Sequence, residues 1–135
     1  MSELAGLLAR RLPPGVYPWE SEAAEEEVRA EVEEAGWTFV HLDTAGVEDK
    51  AAFLDRAAEA FAFPAWFGRN WDALRDSLGD VRAERGTLVL WDGWDAFARS
   101  DEEPFAVALE LVRERAEERD GSPLAVLLRA SPDAR

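Results

Sequence analysis

The stretch FPAWFGRNWDALRDSL, residues 63–78, combines a helix breaker, an aromatic loop and the start of a new helix. Pro64 ends a preceding helix, and Gly68 allows a backbone turn that a bulkier residue would resist. Asn70 is a favourable helix N-cap, and Asp72 follows in the first turn, where the helix dipole favours a carboxylate. The stretch therefore predicts a compact aromatic loop that leads directly into a helix.

The predicted helix has a buried stripe and an acidic face beside it. Trp71, Leu74 and Leu78 recur at i, i+3 and i+7 and form the stripe, whereas Asp72 and Asp76 stack four positions apart. Like charges at that spacing cost about 0.2–0.5 kcal/mol in an isolated helix, so a structural role does not call for both. A binding role does, because the pair presents two carboxylates as a phosphate mimic would. The alternative is that Asp72 only complements the dipole and Asp76 is a solvated charge.

Apolar patterns on both sides of this stretch predict alternating strands and helices. Continuous apolar runs are typical of strands that are buried on both faces, and they occupy 15–19 (weakly), 37–42, 87–91 and 124–128. Helical periodicity with capping residues predicts helices from Ser21 to Gly36, over 49–61, from Asn70, and from Ser100 to Gly121. The alternation favours an α/β domain with a small parallel sheet of three to four strands, packed by helices.

Three local features complete the prediction of the fold. No strand pattern separates the helix over 49–61 from the one over 70–79, which suggests that this pair serves a purpose besides building the sheet. Trp94 and Phe97 suggest a single helical turn. Residues 1–13 end in two prolines and are expected to be a loosely tied lead-in.

Composition limits the class of protein and the kind of partner. The 135 residues fit one domain, and the absence of cysteine excludes disulfides and thiol chemistry and fits a cytoplasmic location. The net charge of −14 repels nucleic acid and anionic membranes, and it would attract a basic protein. The alternative is that acidity only keeps the protein soluble. We find no signal peptide and no membrane-spanning run.

Signatures of enzymes are missing from the sequence. Neither of the Gly-rich phosphate-binding patterns occurs, and no serine lies in a Gly-x-Ser-x-Gly motif. His41 is the single histidine; with Asp43 it could bind a metal weakly, but a strand-end histidine satisfied by a neighbour is the favoured interpretation. Carboxylate pairs could do acid–base work, but 29 acidic residues make chance pairs common. We therefore expect no catalytic residue, no metal ligand, no cofactor and no small-molecule substrate.

The stretch 63–78 resembles the helix-and-loop motif of the barstar family. That pattern runs Pro, aromatic pair, Gly, any residue, Asn, apolar, Asp-Ala-Leu, any residue, Asp, any residue, Leu. The residues that match it in order are Pro64, Trp66, Phe67, Gly68, Asn70, Asp72, Ala73, Leu74, Asp76 and Leu78. The order of elements over 37–129 is also similar to that of the family.

The resemblance implies a barstar-like fold over residues 37–135, with residues 1–36 as an added N-terminal strand–helix extension packed on the same domain. Barstar-like proteins are cytoplasmic inhibitors of secreted guanyl-preferring ribonucleases, and they block the active site of the enzyme. The implied function is thus inhibition of a small basic ribonuclease, or immunity against a ribonuclease-type toxin domain. The alternative is a module with the same fold that binds a different basic protein.

The resemblance also implies a role for each matching residue of the motif. Asp76 would enter the phosphate site of the ribonuclease and meet its Arg and Lys side chains, with Asp72 beside it. Trp66 would supply aromatic contact area at the rim. Asn70 and Trp71 would hold the loop, in which Gly68 also lies, and touch the partner.

Residues outside the matched pattern modify this expectation. Glu114, on the last helix, would be a further acidic contact. Arg75 stands where the family has an aromatic contact, and Arg69 stands where it has an acid. Two positive charges would weaken attraction to a strongly basic active site, although Arg75 could instead pair with Asp72 or Asp76. The departures put the identity of the partner in question more than the fold.

Overall fold

Four parallel strands form one sheet in the computed structural model of the chain, which describes residues 3–134. The strands are β1 (Val16–Pro18), β2 (Thr38–Asp43), β3 (Thr87–Asp92) and β4 (Leu124–Arg129). Their order across the sheet is β1-β4-β3-β2, and every neighbouring pair is parallel. The predicted α/β architecture with a small parallel sheet is confirmed, with four strands.

Six α-helices and a short 3₁₀ helix account for the rest of the regular structure between residues 3 and 134. The α-helices are α1 (Glu3–Leu8), α2 (Glu25–Glu34), α3 (Lys50–Phe61), α4 (Trp71–Gly79), α5 (Trp94–Ser100) and α6 (Glu102–Glu117). The 3₁₀ helix is Pro132–Ala134. As predicted, no strand separates α3 from α4. Within the described part of the chain, no helix is long and apolar enough to cross a membrane.

Each face of the sheet is covered by its own hydrophobic core. One core lies under α3, α4, α5 and α6; its strand residues are Val40, Leu42, Val89, Trp91, Leu124 and Val126. The other core lies under α1 and α2; its strand residues are Phe39, Leu88, Leu90, Ala125 and Leu127. Alternate residues of a strand point to opposite faces, which explains why the strands are continuous apolar runs.

The N-terminal lead-in differs from the prediction, because it contains a helix that packs on the sheet. Leu4 and Leu7 of α1 are 2% and 1% exposed and belong to the second core. The next strand, β1, pairs with β4 and so adds an edge to the sheet. A helix of six residues has little stability of its own, and the burial of its two leucines accounts for its presence.

Two predicted helix starts were also wrong. Ser21 does not cap α2, because its hydroxyl accepts the N–H of Ala23 in a local turn; the helix begins at Glu25, with the Glu27 carboxylate accepting the N–H of Ala24. Ser100 does not cap α6, because it is the last residue of α5, and α5 runs for seven residues rather than one turn.

Candidate functional site

The helix that carries the acidic pair begins as the sequence predicts. The side chain of Asn70 accepts the N–H of Ala73 at 2.8 Å, which caps α4 and confirms Asn70 as the N-cap. Its amide nitrogen also donates to the carbonyl of Gly68 at 3.2 Å. One side chain therefore ties the end of the aromatic loop to the first turn of α4.

The turn before α4 depends on Arg69 and Gly68 in different ways. Arg69 has a left-handed backbone with φ of 51°, whereas Gly68 does not, so the strained position lies one residue later than expected. Gly68 is needed for space: a Cβ there would meet the Asn70 amide nitrogen at 3.1 Å and the Cβ of Ala73 at 3.5 Å. The glycine thus permits the close approach of loop and helix.

Aromatic side chains support the loop from within and extend from it into solvent. The rings of Phe61 and Phe63 stack with their centres 5.4 Å apart, and Phe63 lies 5.0 Å from Phe67. Trp66, in contrast, is 84% exposed and is the most exposed large hydrophobic residue of the described chain. Single exposed apolar residues are common, but an exposed tryptophan beside a supported loop is typical of a contact surface.

The two carboxylates of α4 are exposed and unpaired with cations. Among residues 3–134, neither Asp72 nor Asp76 forms a salt bridge, so both keep their full charge toward solvent. Arg75 does not pair with either of them, contrary to one of the two options above. It lies 3.5 Å from Glu114 of α6, and Arg69 pairs with Asp55 of α3 at 2.8 Å.

Trp71 belongs partly to the core and partly to the surface. Its ring is tilted against Phe53 with the centres 6.3 Å apart, which fixes the first turn of α4 on α3. The Lys50 ammonium lies 5.1 Å from the centre of the same ring. Trp71 therefore holds the helix as expected, and its contact with a partner stays a prediction.

A groove of about 550 Å³ lies between the aromatic loop, α4 and the amino ends of β2 and β3. Trp66, Gly68 and Asp76 line it, so three of the residues singled out in the sequence share one concave surface. Asp80 also lines the groove, as does Thr87, whose buried hydroxyl has no partner in the described chain. The sequence analysis missed Asp80 and Thr87, because neither carries a motif.

A buried arginine anchors the other end of α4. Arg115 of α6 is 4% exposed, and its guanidinium donates to the carbonyls of Leu78 at 2.8 Å, Val81 at 2.9 Å and Ser122 at 2.8 Å. Burial lowers the pKa of Arg115 from its ordinary value. The sequence analysis missed this anchor, although Arg115 is four positions after the buried Leu111 and thus on the same helix face.

A second cluster of titratable groups lies at the carboxyl ends of the strands. His41 Nε2 is 2.8 Å from Asp92, which also accepts two bonds from Arg129, at 2.7 and 3.1 Å. The hydrogen bond to Asp92 raises the pKa of His41 despite burial, with Glu25 and Asp43 adding to the effect. Burial alone would raise the pKa of Asp92, but the bonds from His41 and Arg129 hold it below its ordinary value.

This cluster confirms that His41 is a strand-end histidine satisfied by a neighbour. No group of three or more His, Cys, Asp or Glu side chains within residues 3–134 is arranged to hold a metal ion. The carboxyls with shifted pKa values, Asp92 and Asp95, both shift downward, which is the wrong direction for a general acid.

The eight candidate binding residues lie on neighbouring elements. Seven follow one another along the loop and α4, and the eighth, Glu114, is brought to them by its contact with Arg75. A comparison with curated proteins finds no match for the chain. A family model described as Barstar (barnase inhibitor) matches residues 37–129, and the members of this family inhibit ribonucleases and are not enzymes. Since the match covers more than half of the chain, the chain belongs to the barstar family.

Proposed function

We propose that this chain inhibits a small basic ribonuclease of the guanyl-preferring class, or a ribonuclease-type toxin domain, by blocking its active site. Family membership supports inhibition of a ribonuclease. The observation that carries the proposal is the pair Asp72 and Asp76: both are exposed, neither has a salt bridge within residues 3–134, and both stand on a capped helix beside the exposed Trp66.

The chemistry of the target explains why two carboxylates would block it. A ribonuclease active site holds a phosphate with Arg, Lys and backbone donors, so a carboxylate in that place forms charge-assisted hydrogen bonds with the same groups. Asp76 would occupy the phosphate position and Asp72 would lie next to it. A rigid helix holds both carboxylates before binding, which reduces the entropy lost on association.

The remaining candidate residues would surround this acidic pair. Trp66 would cover the rim of the active site with aromatic area, while Asn70 and Gly68 keep the loop in its bound shape. Trp71 would touch the partner with the part of its ring that is not covered by Phe53. Glu114 would add a charge at the side of α6.

The setting that fits this proposal is the cytoplasm of a bacterial producing cell, where an inhibitor protects the cell from its own ribonuclease. A net charge of −14 would attract the basic enzyme and speed the encounter. The same charge argues against nucleic acid as a partner, because binding to phosphates needs clustered cations. The proposed activity needs neither a metal nor a cofactor.

A second candidate is a binding module for a different basic protein. It is favoured by Arg69 and Arg75, two cations within an otherwise acidic surface, each paired with an acid of another element. A partner with a different arrangement of charges would then replace the ribonuclease.

Inhibition of guanyl-preferring ribonucleases by the purified chain tests the proposal. We expect stoichiometric inhibition of at least one enzyme of a panel and its loss in Asp72→Ala/Asp76→Ala. Truncating one partner of a buried charge pair costs about 2–5 kcal/mol, or roughly 30-fold or more in affinity. Measurements on the barnase–barstar pair helped to define that range, so it is a family value.

A charge-matched control is available on the opposite face of the sheet. Glu26→Ala/Glu34→Ala removes two exposed acids from α2 and changes the net charge by the same amount. It should inhibit almost as well as the wild type. Equal losses in both double variants would assign the effect to net charge and contradict the acidic pair as the site. Inhibition of no enzyme in the panel would favour the second candidate.

A further inference from the structure

The two arginines of the candidate binding surface differ in how firmly they are paired. Arg69 forms two contacts with Asp55, at 2.8 and 3.2 Å, which is the closed, two-pronged geometry of a strong Arg–carboxylate pair. Arg75 has one contact with Glu114, at 3.5 Å, and both side chains are more than half exposed. Arg69 is therefore neutralised, whereas Arg75 can exchange its partner at little cost.

Arg75 also lies where it would face a bound protein. It is on α4, three positions after Asp72 and directly before Asp76, so a partner that reaches both carboxylates must also cover Arg75. Once covered, its guanidinium loses water and needs an acceptor from one side or the other. Glu114, at the edge toward α6, supplies only part of what five N–H donors require.

We propose that Arg75 is a specificity-determining residue, and that the cognate ribonuclease carries an acidic side chain at the rim of its basic active site, facing Arg75. This inference rests on the proposed function. The partner's carboxylate would pair with Arg75 in the closed interface and displace or share the contact with Glu114. A ribonuclease with a cation at that part of the rim would be repelled, because like charges are costly in a desolvated interface.

The arrangement is one of alternating signs across the binding surface. Asp72 and Asp76 select cations at the centre, and Arg75 selects an acid next to them. Specificity of this kind uses a repulsive element against the wrong partner as well as an attractive one for the right partner. It explains why a protein that binds a basic enzyme keeps an exposed arginine between its two binding carboxylates.

Inhibition constants of the wild type and of Arg75→Glu separate this role from general electrostatics. The probe is a panel of small guanyl-preferring ribonucleases that includes enzymes with an acidic residue at the active-site rim and enzymes whose rim is wholly basic. Arg75→Glu should weaken inhibition of the first group by about tenfold or more and strengthen inhibition of the second group to a similar extent. Arg11→Glu, which makes the same charge change outside the binding surface, should shift all constants in one direction, and only slightly.

The possible outcomes distinguish this inference from the function on which it rests. A uniform response of the panel to Arg75→Glu, equal to that of Arg11→Glu, would overturn the role of Arg75 while leaving ribonuclease inhibition in place. Wild-type inhibition restricted to enzymes with wholly basic rims would also overturn it. A wild type that inhibits no enzyme, or that inhibits equally well after loss of Asp72 and Asp76, would contradict the proposed function itself.

Discussion

Asp72 and Asp76 contribute little to the stability of α4, although they define its chemistry. The interaction of Asp72 with the helix dipole is worth about 0.3–1 kcal/mol. The repulsion between two acids four positions apart costs about 0.2–0.5 kcal/mol and offsets much of that gain. Neither side chain has a salt bridge in the described chain that its removal would break. Alanine at both positions should therefore leave the fold intact, so a loss of inhibition can be attributed to the surface.

His41 makes the stability of the protein depend on pH near neutrality. Its pKa is raised above 6.5, chiefly by the hydrogen bond to Asp92. The folded state thus binds more protons than the unfolded state between 6.5 and the higher folded-state pKa, and stability falls as the pH rises through that window. The contribution is fully present below 6.5 and lost above the folded-state pKa.

Urea unfolding at about pH 6 and about pH 8 measures this effect directly. We expect the free energy of unfolding of the wild type to fall over this range, and that of His41→Gln to change much less. The comparison is clean because the chain has one histidine and no cysteine, which leaves only the terminal amine to titrate in the same range. Equal pH dependence in the two proteins would show that His41 is not the group responsible.

Local chemistry made some residues predictable from the sequence, and tertiary packing hid others. Asn70 could be identified as a cap because capping depends on the next three residues alone. The pairs Arg75–Glu114 and Arg69–Asp55 could not, because each joins two helices whose relative placement the sequence pattern does not give. The partner of His41 was hidden for the same reason, since Asp92 lies on a neighbouring strand.

At the scale of elements, α4 is held at both ends by polar side chains. Asn70 binds its first turn, and Arg115 binds the carbonyls at and beyond its last turn. Arg115 has no carboxylate within salt-bridge distance among residues 3–134, so carbonyl dipoles alone satisfy its charge. The favourable interaction of a cation with the carbonyl end of a helix dipole explains how the buried guanidinium is tolerated.

Replacement of this anchor should destabilise the protein. Arg115→Met leaves three carbonyls without their donor, at about 1–3 kcal/mol for each buried group left unpaired, less the cost of burying the guanidinium. We expect the free energy of unfolding to fall by about 2 kcal/mol or more. Urea denaturation measures it, and Arg113→Met, on a less buried position of α6, should cost less than about 1 kcal/mol. Similar losses in both variants would contradict the role of Arg115 as an anchor.

Periodicity predicted the long elements, whereas short ones depended on packing. Strands β2, β3 and β4 were evident because both of their faces are buried and the apolar run is continuous. Helix α1 was not, because six residues with one apolar patch give no period, and the helix exists only against the sheet. The start of α2 was missed because Ser21 forms a local turn instead of a cap.

At the scale of the molecule, residues 1–36 cover a face of the sheet that the family match does not account for. Leu4, Leu7, Val28 and Val32 all lie in the second core, and each apolar side chain buried contributes about 1.5–3 kcal/mol. The N-terminal part also reaches β4 through the Arg129 guanidinium, which donates to the carbonyl of Ala23. We therefore propose that residues 1–36 and 37–135 form one folding unit, with a boundary of family similarity but not of folding.

The binding surface and the titratable cluster lie at opposite ends of the strands. The groove beside Asp76 borders the amino ends of β2 and β3, whereas His41 and Asp92 lie toward their carboxyl ends. The N-terminal extension contacts the second cluster through Glu25, 3.6 Å from His41. Changes of pH near neutrality should thus act on the docking of the extension rather than on the acidic pair.

The central claim, that α4 occupies the active site of a ribonuclease, is tested most directly by competition with a nucleotide. Binding of the wild-type chain to an inhibited ribonuclease would be measured by calorimetry at increasing concentrations of guanosine 3′-monophosphate, which fills the phosphate and base sites of a guanyl-preferring enzyme. We predict that the apparent dissociation constant of the chain rises in proportion to the nucleotide concentration, because both need the same site. An affinity that is independent of the nucleotide, with all three components in one complex, would contradict the claim.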